Sequence, residues 1–181
     1  MDYRLKGRDF LGSHCDKRKA KADKYVYTIL NTTRDSLDRS MVARSLWETC
    51  ALPAIMYGTE ACVLSQSILR ELESKQNLVA AFITGLPKSG GTTALHLESG
   101  LVPITTRYHV GLYRFFHRLI VSDSDLIQHA LIERKTGKWE SPYRNLILKI
   151  TLQYKLSGMT NLAAKSRIME VGWETLMRDV Y

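Results

Sequence analysis

Apolar residues recur at three- and four-residue intervals along nearly the whole chain, and no stretch alternates strongly enough to be read as a strand. A chain patterned this way buries stripes on helices, which implies an all-α fold, an irregular multi-helix bundle of about seven or eight helices. With 181 residues and 45% apolar content it is long enough to bury one core.

The helices can be placed from their punctuation. Asp9 is a capping residue for a helix over about Phe10 to Asn31, with Leu11, Cys15, Ala22, Val26 and Ile29 in one arc and Gly12 weakening the first turn. A second helix runs from Asp38 or Arg39 to Met56, with Val42, Leu46, Cys50 and Met56 inward and a kink expected at Pro53. The third, from a Ser65 or Ser67 cap to Thr84, carries Ile68, Leu72, Val79, Phe82 and Ile83 on one stripe, with Gly85 placed for a left-handed cap. Lys75 interrupts that stripe, its stem expected on the core and its ammonium in water.

Four more follow. A short helix runs from a Thr92 or Thr93 cap to Ser99, closed by Gly100; the next extends from Pro103 or Thr105 to about Val121, and another from Ser122 or Asp123 to Lys135. Ser141-Pro142 opens a helix with Tyr143, Leu146, Ile147, Ile150 and Tyr154 inward, and Asn161 is the expected cap of a last one through Val171. Gly137 is the best boundary, dividing 1–136 from a C-terminal helical extension, 137–181.

Most catalytic classes find no support. There is no Asp-Asp pair of the kind that holds two divalent metals, and Asp123-Ser124-Asp125 reads as a helix start. The five histidines and three cysteines lack zinc spacing, so Cys15, Cys50 and Cys62 are read as reduced packing residues. In Gly85 to Gly91, Lys88-Ser89 precedes the glycines and follows a helix, the reverse of a phosphate loop. No nucleophile elbow, cofactor motif, membrane span or secretory leader is evident; no cofactor is expected, and an intracellular place, cytoplasm or nucleus, is.

The net charge of +8 is unevenly spread: residues 1–44 carry +5, 45–102 carry −2 and 103–181 carry +5. Two basic regions suit a polyanion such as RNA or DNA, because cations that neutralise phosphates release condensed counterions. Arg107, Arg114 and Arg118 lie within about 20° either side of one direction on a helix wheel, with rises of about 10 and 6 Å. Such a row suits phosphates along a strand. Lys17, Lys21 and Lys24 oppose the apolar stripe of the first helix and form a second candidate surface, with Arg18 and Lys19 beside them. For both, an ordinary solvated face is the competing account.

The stretch from Ala51 to Arg107 goes further. Pro53 to Glu60 reads P-x-x-x-Y-G-x-E, Leu72 to Asn77 reads L-E-x-x-Q-N, Ile83 to Pro87 reads I-x-G-x-P, and Thr92 to Pro103 reads T-x-A-L-x-x-E-x-G-x-x-P. Together with Asp2-Tyr3-Arg4-Leu5, His14 and Lys19-Ala20, this ordered set resembles the segment that follows the palm in non-LTR (LINE-type) retrotransposon reverse transcriptases, over about residues 2 to 120. The resemblance implies a thumb-like helical module that cradles primer-template duplex, with fingers, palm and metal-binding carboxylates upstream of this piece. The expectation is a non-catalytic nucleic-acid-binding fragment of an RNA-directed DNA polymerase. A helical remnant serving protein interaction, or retaining no activity, is the alternative.

Overall fold

The computed structural model describes the backbone at 3–87, 91–122, 124 and 142–178, and side chains at 12–87, 91–122, 124 and 145–175. Among the described residues there is no strand, and counting one bent element once there are seven helical elements. The helix expected between Ser122 and Lys135, the Gly137 boundary and the acidic pair around Ser124 lie outside the described residues. Buried residues on both sides of that boundary, from Cys15 to Ile168, nevertheless belong to one continuous core.

Helix α1 (Tyr3–Thr33) begins earlier than its capping pattern implied, passing through Asp9 and Gly12 without a break. Four of the residues read inward, Cys15, Ala22, Val26 and Ile29, are in the core, and the Leu11 side chain lies outside the described residues. It lies against α4 (Gln66–Thr84), and two ion pairs tie the edges, Lys19 Nζ to Glu71 Oε2 at 2.7 Å and Lys75 Nζ to Asp23 Oδ1 at 2.5 Å. Lys75 therefore reaches the rim of the core as expected, where it finds a carboxylate.

The second element departs most from expectation. Asp38 caps α2 (Arg39–Leu46), its Oδ1 accepting from the Met41 N–H at 3.3 Å. A π turn (Trp47–Ala51) then widens the helix, closed by the Leu52 N–H donating to the Trp47 carbonyl, before α3 (Leu52–Met56) continues with Pro53 in its first turn. The irregularity expected at Pro53 is thus taken up one turn earlier, as a π turn. The buried face differs from the one read: Ala43, Trp47, Ala51 and Ile55 face the core, while Cys50 is exposed and Val42, Leu46 and Met56 are half-buried. A four-residue repeat drifts about 40° per step on a regular α-helix, and the wider turn absorbs that drift. Tyr57 ends α3, and Gly58, at φ +76°, leads into a 3-10 turn (Thr59–Ala61).

Helix α4 is capped as expected, with Ser65 Oγ accepting from the Ile68 N–H at 3.4 Å and Gly85 left-handed at φ +71°. Its buried centre is Leu69, Leu72, Gln76, Val79 and Ala80, so Ile68, Phe82 and Ile83 flank the stripe. Helix α5 (Thr92–Ser99) has Gly91 rather than a threonine at its N-cap and ends at left-handed Gly100. Helices α6 (Ile104–Ile120), α7 (Pro142–Gln153) and α8 (Asn161–Arg178) complete the bundle. On α7 and just after it, Ile147, Ile150 and Tyr154 are buried as read, with Leu146 half-buried and the Tyr143 side chain outside the described residues. The α8 cap is Thr160, whose Oγ1 accepts from the Ala163 N–H at 3.4 Å, and the helix runs seven residues past Val171.

A buried polar junction fixes where α6 starts. The Trp47 indole N–H donates to Gln76 Oε1 at 3.0 Å, and Gln76 Nε2 donates to the Val102 carbonyl at 2.9 Å. His96 Nδ1 lies 2.8 Å from the Leu101 carbonyl, an acceptor only, so Nδ1 carries the proton. Its Nε2 lies 2.9 Å from Glu73 Oε1 at ion-pair distance, without the alignment of a hydrogen bond. Glu73 Oε2 in turn accepts from the Thr105 N–H at 3.4 Å, in the first turn of α6. Helix α4 thereby orients the helix that carries the arginine row.

Candidate nucleic-acid interface

Helix α6 is buried on most of its circumference: Ile104, Thr106, Tyr108, His109, Val110, Leu112 and Tyr113 are all in the interior. The Tyr108 hydroxyl pins the segment before α4, donating to the Cys62 carbonyl at 2.7 Å and accepting from the Leu64 N–H at 2.9 Å; burial pushes its pKa up to about 12. On the other side, the His109 ring pairs with the Tyr154 hydroxyl at 2.9 Å, and burial holds its pKa down at about 4, so it is neutral. Towards its C-terminal end α6 opens to solvent: Arg114, Arg118 and Ile120 are exposed, and Arg107 and Gly111 lie half-buried on the line of the two arginines.

These three arginines line one groove of about 580 Å³, as their shared direction on the helix wheel implied. They differ in what they touch. Arg107 is only 30% exposed, its Nη2 donating to Glu48 Oε1 at 3.4 Å while its buried Nε has no partner. Desolvation lowers its pKa from the ordinary arginine value, and Glu48 counters part of that. Glu48 Oε2 also faces Arg44 at 3.7 Å, so Arg107 belongs to a small charge cluster on the π turn. Arg114 and Arg118 are exposed. Arg118 stacks over the Phe115 ring at 5.8 Å, and Arg114 has no ion pair or hydrogen bond among the described residues.

The groove holds residues that sequence patterning did not single out. Lys165 and Met169, one turn apart on α8, form part of its lining, with Leu52, Pro53 and Met56 from α3. Glu48 and Glu60 are the two carboxylates, against four cations, leaving a net charge of +2. The only local clue to Lys165 is that it adjoins Ala164 at the edge of the Ala164–Ile168 buried pair, which places it on the border of a packed face. Nothing local indicates which helix lies across from it.

Lys17, Lys21 and Lys24 are all exposed on α1, and none has an ion pair or hydrogen bond among the described residues. Lys19, by contrast, is engaged with Glu71. Arg18 turns inward, its Nη1 donating to the Ala54 carbonyl at 2.9 Å and its guanidinium lying 5.7 Å from the centre of the exposed Tyr57 ring. It also donates from Nε to His14 Nε2 at 3.3 Å, while burial, with Arg18 and Lys17 nearby, lowers the His14 pKa. The lysine face and the arginine groove are thus separate surfaces with no residue in common.

Among the described residues no cluster of His, Cys, Asp or Glu is arranged to hold a metal ion, and no helix is long and apolar enough to cross a membrane. Cys15 and Cys62 are buried with pKa values raised chiefly by desolvation, and all three cysteines are free thiols. No protein-family model, curated protein or solved structure matches the chain.

Proposed function

We propose that this chain is a non-catalytic, nucleic-acid-binding helical fragment of a non-LTR retrotransposon reverse transcriptase, and that it holds RNA–DNA hybrid or duplex by phosphate contacts. The observation that carries this reading is the groove along α6, where Arg114, Arg118 and Lys165 from two helices stand beside one another with solvent access. Cations on facing walls suit a polyanion lying between them, and their guanidinium and ammonium groups recognise phosphate without reading sequence. The Lys17, Lys21 and Lys24 face supplies a second contact region, and Arg107 orients the groove's inner end through Glu48. The ordered motifs between Pro53 and Pro103 support the ancestry. Two of their residues, Glu73 and Gln76, take part in the polar junction that sets α6 in place. Polymerisation itself belongs to the palm, and this fragment takes no catalytic step.

The test is a fluorescence-anisotropy titration of a labelled RNA–DNA hybrid at several salt concentrations. Binding should weaken steeply with salt, with log K falling linearly against log salt. Binding insensitive to salt, or no binding at low salt, rules the reading out.

A further inference from the structure

The arginine stripe on α6 has a fourth position. Gly111 lies four residues after Arg107 and three before Arg114, which puts it on the same side of the helix. Glycine inside a helix is destabilising relative to alanine, because it loses more backbone freedom on folding. Such a residue normally has a steric reason, and α8 offers an example. A Cβ on Gly172 would sit 2.8 Å from Cγ2 and Oγ1 of Thr106, so close packing of α8 on α6 demands the glycine. Gly111 has no equivalent demand. Its backbone is not left-handed, and a Cβ there would lie 3.7 Å from Glu60 Cβ, an ordinary contact.

What the missing side chain does is lower the groove floor to the helix backbone, between Arg107 and Arg114. Glycine serves the same purpose wherever a backbone must be approached closely by a ligand. We propose that Gly111 is the seat of a phosphate group of a sugar-phosphate strand running along α6, held by Arg114, Arg118 and Lys165. This deepens the nucleic-acid-binding reading and rests on it. With Arg107 neutralised by Glu48, these three cations face the single carboxylate of Glu60. No aromatic side chain lines the groove among the described residues, so bases have nothing to stack on there. The groove therefore takes backbone and leaves the bases outside.

The proposal makes stability and binding move in opposite directions at one residue. Gly111→Ala should raise the melting temperature by about 1 to 4 °C, since the alanine fits and restricts the unfolded chain. The same change should weaken binding of a labelled RNA–DNA hybrid by about tenfold, equivalent to 1.4 kcal/mol. Gly111→Leu should weaken it further. Lys165→Ala should reduce the salt slope by about one, as loss of a phosphate contact does.

The outcomes separate the two claims. If the wild-type chain binds no hybrid, the nucleic-acid reading fails and the phosphate seat with it. If it binds, and Lys17→Ala/Lys21→Ala/Lys24→Ala abolishes binding while Gly111→Ala and Lys165→Ala leave it unchanged, the seat is wrong and the broader reading stands. A lower melting temperature for Gly111→Ala overturns the seat as described.

Discussion

At the junction of α4, α5 and α6, the side chains of Gln76 and His96 are wholly buried, and with Glu73 they direct their polar atoms at one another and at backbone. Two to three turns further along α6, and across the groove on α8, Arg114 and Lys165 are exposed to solvent. The difference shows how polar residues divide between holding a fold and doing something with it. A buried polar group without a partner carries its full desolvation cost, so the junction has to be nearly saturated. An exposed cation carries no such cost, so it can stay unpaired and available. Arg107 lies between the two regimes, half-buried and matched by Glu48.

The comparison can be broken most forcefully at the junction. Trp47→Ala removes a fully buried indole and leaves Gln76 Oε1 without its donor, and should cost about 3 to 5 kcal/mol of stability, measured by urea denaturation at neutral pH. A cost below about 1 kcal/mol would mean the junction does not hold α6 in the way described.

Acid provides a second probe. His109 is held neutral with a pKa of about 4, whereas an unfolded histidine takes up its proton near 6.5. The unfolded state therefore binds more protons between those values. The stability contribution is fully present above pH 6.5 and declines as pH falls, by about 3 kcal/mol on reaching pH 4. His109→Gln should flatten that part of the pH profile, and an identical profile in the variant would assign the acid sensitivity elsewhere.

Between junction and groove sits the contact of α8 with α6. Gly172→Ala places a methyl group against Thr106 and should destabilise the protein by about 1 to 3 kcal/mol, with α8 displaced and the Lys165 side of the groove disturbed. A thermal melt together with the hybrid titration would detect both consequences. An unchanged melting temperature would mean the helices separate without cost.

The smallest stability effect belongs to the groove itself. Arg114→Ala/Arg118→Ala should change stability by no more than about 0.5 kcal/mol, because both side chains are exposed. It should nevertheless lower the slope of log K against log salt by about two. A variant that loses stability but keeps its slope would invert the division between the two regions.

Much of the architecture was legible in local patterns. The buried stripe of α1, the start of α2 near Asp38, the Ser65 cap, the left-handed Gly85 and the helix end at Gly100 follow from periodicity and from which residues tolerate particular backbone angles. The second element was read one residue early at Ala43, Trp47 and Ala51, because Val42, Leu46 and Cys50 form an equally regular four-residue stripe, and one residue late at Ile55, beyond the π turn. Gln76 was quoted only as a motif letter, and its burial escaped notice because an amide reads as polar until its partners are known.

Sequence alone determined that these segments form helices, that Lys17, Lys21 and Lys24 share an exposed face, and that Arg107, Arg114 and Arg118 share a direction. These are properties of one helix about its own axis, set by local geometry. Tertiary structure alone decided that Glu48, 59 residues away, neutralises Arg107, that Lys165 joins the groove, and that Gly111 lies on its floor rather than under a neighbouring helix. Each of those depends on how one helix is turned and seated against another, which packing selects through contacts far apart in the chain.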